Sequence, residues 1–252
     1  NCVAYDPCFG YELAVIVHDG LQRMYVNQER VFYYLTLMNE NYDQPALPEG
    51  AEEGIKRGMY LFNKDEKATV QLLGSGVILR EVIKAGQILR DEYQIHSNVW
   101  SVTSFNELAR DGMAVEEYNR LHPLEDGKES WVSQQLRDTD GIVVSATDHM
   151  RAYSEQIRAY LPDSRPYVTL GTDGYGRSDT RSNLRSYFGV DAAHIVVATL
   201  KKLADEGEVD PRLVKDAISS FELDVDRPVA WLPQAHPSVQ EVAAYTEVTE
   251  EK

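Results

Sequence analysis

Thr69-Val70-Gln71-Leu72-Leu73-Gly74-Ser75-Gly76-Val77 decides the fold class. A short β-branched and aliphatic run reads as a buried strand, two glycines break it, and a helical pattern begins. Beyond the glycines, Ile78, Val82, Ala85, Ile88 and Leu89 recur on one face, which predicts a helix over 77–93. The same unit then repeats. Val99-Trp100-Ser101-Val102 predicts a strand with a helix near 106–110 after it. A short helix is expected over 131–136, then the strand Gly141-Ile142-Val143-Val144-Ser145. A helix over 150–161 and the strand Tyr167-Val168-Thr169-Leu170 follow. Three further helices are expected near 180–188, 192–206 and 211–221, the last opened by Asp210 as N-cap and Pro211 at the first helical position. Strands alternating with helices imply an α/β fold with a mainly parallel sheet and helices on both faces.

Upstream, Leu13, Ile16, Val17, Leu21 and Met24 predict a helix over 11–25, and Val31-Phe32-Tyr33-Tyr34-Leu35-Thr36-Leu37 predicts a buried strand. The stretch 39–58 contains Pro45, Pro48, Gly50, Gly54 and Gly58 without apolar periodicity, and reads as a linker between domains. From Asp224 onward the chain is acidic, contains proline and offers no core face. It reads as an extended tail, disordered or laid over a partner. The chain opens Asn1-Cys2-Val3-Ala4-Tyr5 without a Met and enters an apolar element within a dozen residues, so further polypeptide is expected upstream.

Composition excludes several functions. The 252 residues carry 41 acidic and 25 basic side chains, a net charge of −16, and no dense basic run. Phosphate backbones are gripped by clustered Lys and Arg, so a nucleic-acid partner is not expected. Cys2 and Cys8 are too few for a disulfide framework and lack the further soft ligands of a zinc site; they read as reduced thiols of a cytoplasmic protein. No apolar stretch reaches the ~18 residues of a membrane span, and no signal peptide is visible.

The motifs give no reaction by themselves. Gly74-Ser75-Gly76 places backbone N–H groups at a helix start, where an anion can sit, but a dinucleotide fingerprint requires glycine at Leu79. A tight turn without a ligand is the simpler reading. Gly171-Thr172-Asp173-Gly174-Tyr175-Gly176-Arg177-Ser178-Asp179 joins a strand to a helix that Ser178 or Asp179 can cap. It lacks the ligand order of a calcium loop. Its Thr172-Asp173-Gly174 is akin to the metal–diphosphate element of thiamine enzymes, yet begins with Thr, and Asn183 follows too closely for that element's asparagine. His18, His96, His122, His149, His194 and His236 are scattered singles, and no Gly-x-Ser-x-Gly elbow occurs. Glu49, Glu52 and Glu53 read as a solvated linker face.

Longer stretches carry a resemblance. Asn39-Glu40-Asn41-Tyr42, the run 48–55, Val70 through Gly76, the run 101–112 from Ser101 to Gly112, Leu121-His122-Pro123-Leu124-Glu125, 171–181 and 191–198 together resemble the homodimeric, thiamine-diphosphate-dependent pyruvate dehydrogenase decarboxylating component. The similarity runs to about Phe221. It implies a transketolase C-terminal-like domain over 68–223, preceded by the end of a pyrimidine-binding domain over 1–47 and a linker over 48–67, with an acidic tail over 224–252. It further implies oxidative decarboxylation of pyruvate and acetyl transfer to a lipoyl carrier, with thiamine diphosphate and Mg2+ as cofactors. The implied partners are a second copy of the chain and a lipoyl-bearing dihydrolipoyl acetyltransferase. The family's activating glutamate, histidines and metal cradle lie upstream of Asn1, so no catalytic, cofactor-binding or metal residue is assigned here, and the 252 residues alone are expected to be inactive and to bind no cofactor. The turn at 171–181 is then packing and subunit-contact architecture. Two readings stay open beside this one: a standalone interaction or dimerisation module with the same fold, and a nucleotide-binding regulatory domain using Gly74–Gly76.

Overall fold

A computed structural model of the chain describes residues 1–232; the expected tail falls largely, and His236 wholly, outside the described residues. The main sheet is built from β3 (Met59–Asn63), β4 (Val70–Ser75), β5 (Ser97–Val102), β6 (Ile142–Ala146) and β7 (Tyr167–Leu170) in the order β3-β5-β4-β6-β7. β4 pairs in parallel with β5 and β6, and β6 with β7, while β3 runs antiparallel to β5 at the edge. The mainly parallel α/β sheet is therefore present, with one antiparallel edge strand added to it.

Side-chain alternation explains why both faces are covered. Val70 and Leu72 of β4 point into a cluster with Val82, Leu89, Val196 and Leu200. That side carries α3 (Leu79–Tyr93), α8 (Ala192–Asp205) and α9 (Pro211–Ser220). Leu73, the next residue along, faces Trp100, Phe105, Leu108, Val132 and Leu136, where α4 (Phe105–Leu121) and α5 (Trp131–Leu136) lie. Gln71 is buried within β4 yet satisfied: its amide oxygen accepts from Asn98 Nδ2 and Trp100 Nε1 at 3.1 and 2.9 Å, and its nitrogen donates to the Asp140 carbonyl at 3.0 Å. Gly74 permits close helix approach, since a Cβ there would lie 2.6 Å from Leu79 Cα.

The first residues form β1 (Cys2–Tyr5), α1 (Gly10–Leu21), a π-helical turn (Gln22–Val26) and β2 (Phe32–Leu35). β1 and β2 make a two-stranded parallel ladder. Val3, Tyr5 and Ile16 pack with Ala51, Ile55 and Tyr60 in a smaller core.

Four expectations are corrected by these elements. The strand at 31–37 is not buried: Val31, Tyr33 and Leu35 are half-covered, whereas Phe32, Tyr34 and Leu37 face outward. The stretch 39–58, read as a linker without periodicity, holds α2 (Glu52–Arg57), and β3 follows directly after it. Its glycines serve packing there: a Cβ at Gly54 would meet Tyr60 Cβ at 2.6 Å, and Gly58, at φ 103°, ends the helix. The helix expected near 106–110 extends to Leu121, because Ser104 caps it by accepting from Glu107 N–H at 3.0 Å and no breaker follows before Pro123. The helix expected over 150–161 is broken into α6 (Ala152–Glu155) and a 3₁₀ turn (Arg158–Tyr160), with a second 3₁₀ turn beyond it at Pro162–Ser164. Tyr160 there lies against Gly112, and Pro162 prevents continuation.

Candidate functional site

In an open α/β sheet, ligands collect at the carboxyl ends of the strands where successive connections leave in opposite directions. Here that point lies between β4 and β6, since the chain passes from β4 outward to β5 on one side and from β6 outward to β7 on the other. The residues arriving there are Gly76 after β4, Thr103 after β5, and Thr147, Asp148 and His149 after β6. Gly76, at φ 53°, turns the chain sharply into a 3₁₀ turn that leads to α3.

The chain fills this crevice with its own Asp6. The Asp6 carbonyl accepts from Gly76 N–H at 3.0 Å, and Asp6 N–H donates to the Thr103 carbonyl at 2.7 Å. One carboxylate oxygen, Oδ1, accepts from Thr36 Oγ1 at 2.5 Å and meets His149 Nε2 at 3.0 Å. Asp6 is only 8% exposed. The His149 ring also stacks on Tyr153, 4.8 Å between centroids, and the His149 carbonyl accepts from Thr172 N–H. The hydrogen bond to Asp6 raises the His149 pKa, and burial acts against it. Burial raises the Asp148 carboxyl, opposed by the neighbouring His149.

Beside the crevice lies a cavity of about 280 Å³, lined on its apolar side by Met38, Val77, Ile78 and Phe188 and on its polar side by Asp148 and arginines. Arg185 bonds Glu40 at 2.7 Å and Glu81 at 3.3 Å; Arg181 donates to the Asn39 carbonyl; Arg177 lies over the Tyr187 ring. Of the three, Arg185 has its charge balanced by the two carboxylates.

A second buried node lies at the start of α1. Glu12, fully buried, accepts through one oxygen from Cys8 N–H and Phe9 N–H at 2.6 and 2.9 Å, and through the other from Tyr60 and Ser101 hydroxyls at 2.7 and 2.6 Å. Burial raises its pKa against these four bonds. It ties the first segment to β3 and β5.

The motifs singled out in the sequence take structural places. At 171–179, Asp173 is bonded to Arg151 Nε at 2.7 Å, and a Cβ on Gly174 would lie 2.3 Å from the Ala230 carbonyl, so the turn is packed under the start of the tail. The cap of the following helix, α7 (Arg181–Phe188), is Thr180, not Ser178 or Asp179; Asp179 instead accepts from Thr180 N–H and Asn183. Of the histidines, His96 pairs with Asp65 and His194 with Asp191 at 2.6 Å each, His122 stacks on Tyr118, and His18 is exposed. Among the described histidines, His149 alone reaches the crevice. Its partner stands 143 positions away, so no spacing rule could have found it.

Residues 58–191 match the transketolase-like TK C-terminal domain family, and residues 1–45 match the pyruvate dehydrogenase E1 component middle domain. Among curated proteins, the pyruvate dehydrogenase E1 component of Pseudomonas aeruginosa is 52% identical over 230 residues, and that of Escherichia coli is 53% identical over 230. Each alignment covers 90% of this chain but 26% of the relative, so the chain spans about a quarter of their length. Among solved structures, a transketolase mutant from Pichia stipitis superposes with a TM-score of 0.57 at 15% identity, over 82% of this chain and 26% of its own. A transketolase from Leishmania mexicana does so with 0.54 at 16% identity, over 91% and 27%. These structures bear on the fold alone.

Proposed function

The chain belongs to the transketolase-like TK C-terminal domain family, in the form found in pyruvate dehydrogenase E1 components, and from that premise we propose that it is the C-terminal part of such an enzyme. The whole enzyme oxidatively decarboxylates pyruvate with thiamine diphosphate and Mg2+ and passes the acetyl group to the lipoyl carrier of a dihydrolipoyl acetyltransferase. It works as a cytoplasmic homodimer. The observation that carries this reading is the identity of about half of all positions over an alignment of 230 residues that covers 90% of the chain.

Within it, residues 1–47 are the end of the pyrimidine-binding domain, 48–67 the connection that carries α2 and β3, 68–223 the C-terminal domain and 224–252 a tail. The first matched range, 1–45, ends just before that connection, and the second, 58–191, begins within it, which supports a change of domain in this part of the chain.

The residues present do not fit a metal–diphosphate site. Among the described residues no three His, Cys, Asp or Glu side chains cluster as metal ligands, and Asp173 of the Thr172-Asp173-Gly174 turn is committed to Arg151. No coenzyme step is therefore assigned to this chain, and its role is architectural: it presents β1, β2 and α1 on a fully built α/β domain. The exposed apolar side chains of β2 support a second reading, a standalone dimerisation module.

The test is an assay of the protein encoded by the whole reading frame that contains these residues. Pyruvate-dependent acetylation of a lipoyl domain is expected. A frame that begins near Asn1, or a full-length product inert towards pyruvate, overturns the proposal.

A further inference from the structure

The crevice where this fold would receive a ligand is closed by a bond between two titratable side chains, and each belongs to a different region. Asp6 comes from the end of β1, in the stretch matched to the middle domain. His149 comes from the loop after β6, in the stretch matched to the C-terminal domain. We propose that Asp6 and His149 form a proton-operated latch, which holds the β1–β2 ladder onto the carboxyl ends of the main sheet when closed and loosens it when the imidazole loses its proton.

The geometry meets the requirements of such a device. The contact is direct, at 3.0 Å, and the His149 side chain keeps 29% exposure, so a proton can reach it from solvent. Asp6 shares the same oxygen with Thr36 from the end of β2, so both strands of the ladder are held through one carboxylate. The groups that face His149 are few. Asp6 lies opposite, Asp148 precedes it in its own loop, and the Tyr153 ring stacks on it from α6. Arg185 from α7 acts on Asp148 rather than on the imidazole, and Arg151 is paired with Asp173. Asp6, bonded to the ring, is thus the main group that raises the His149 pKa, with Asp148 adding to it and burial opposing it.

The sign follows from linkage. A histidine whose pKa is raised in the closed form stabilises that form fully below its ordinary value of 6.5, and the contribution is lost as pH rises through the raised value. The backbone bonds from Gly76 and to Thr103 do not titrate, so deprotonation loosens the ladder without unfolding the sheet. This inference concerns contacts inside residues 1–149 and does not depend on which reaction the whole enzyme performs.

Two readings on the 252-residue chain test it together: NMR titration of the His149 ring, and amide hydrogen exchange in β1 and β2 from about pH 6 to about pH 8.5. His149 should titrate above an ordinary histidine. Exchange in β1 and β2, corrected for base catalysis, should speed up as it does so, by up to about tenfold per pH unit, with β4 and β6 unchanged. Asp6→Asn should return the His149 midpoint towards the ordinary value and flatten the pH dependence. His149→Gln keeps a neutral donor and should give pH-independent, intermediate protection, which serves as the second variant if Asp6→Asn loses its β4 and β6 protection. An ordinary His149 midpoint in the unaltered chain overturns the latch. So does protection of β1 and β2 that ignores pH, or a His149→Gln chain that keeps the original pH dependence.

Discussion

The five-stranded sheet and the β1–β2 ladder are both parallel at their centres, yet they are held in different ways. Every residue of β4, β5 and β6 is buried, with helices on each face. In β2, Phe32 and Tyr34 are 52% and 61% exposed, and among the described residues nothing covers them. A two-stranded ladder is marginal by itself, and at least three strands or a packed helix are needed for independent stability. This one relies on a small apolar core with α2 and β3 and on two polar seams, at Glu12 and at Asp6. The sheet is thus specified by its apolar packing, and the ladder by where a few buried polar groups find partners.

Substitutions should separate the two regions, and the largest effect is expected in the sheet. Leu72→Ala removes a fully buried side chain from the middle of β4 and should cost about 2–5 kcal/mol in urea unfolding, with protection lost across the whole sheet. Glu12→Gln leaves the fold of the sheet intact but weakens a carboxylate that accepts four hydrogen bonds. A loss of about 1.5–3 kcal/mol is expected, read as faster amide exchange in α1 and β1 ahead of β4. Gly74→Ala forces a methyl against the α3 backbone and should cost about 1–3 kcal/mol through overpacking, measured by thermal or urea unfolding. Tyr34→Ser should change stability by no more than about 0.5 kcal/mol in the 252-residue chain, because its ring already faces water. The same change in the whole enzyme should cost about 1.5–3 kcal/mol if the outer face of β2 is buried there. Equal, small effects in both would mean that the face is never covered.

The difference between the regions also governs how much could be read from the amino acids. β4 to β7 were legible because strands buried on both faces leave short continuous apolar runs between turn residues, as at Val70–Leu73 and Tyr167–Leu170. β3 was hidden because Gly50, Gly54 and Gly58 look like linker glycines, whereas Gly54 and Gly58 are needed for the close approach of α2 to Tyr60 and for ending that helix. β2 was read as buried because its aromatic residues alternate with equally apolar neighbours, which conceals the two-sided character of the strand. The polar seams left no local trace. Glu12 meets Ser101 across 89 positions and Asp6 meets His149 across 143. Such pairs are set by the topology that brings strand ends together, and a single histidine or glutamate carries no mark of its distant partner.

The proposal that coenzyme chemistry belongs to other parts of a longer enzyme is tested most directly by calorimetry of the 252-residue chain with thiamine diphosphate and Mg2+. No binding heat above dilution is predicted, even at millimolar coenzyme. Saturable binding at one coenzyme per chain would contradict the account.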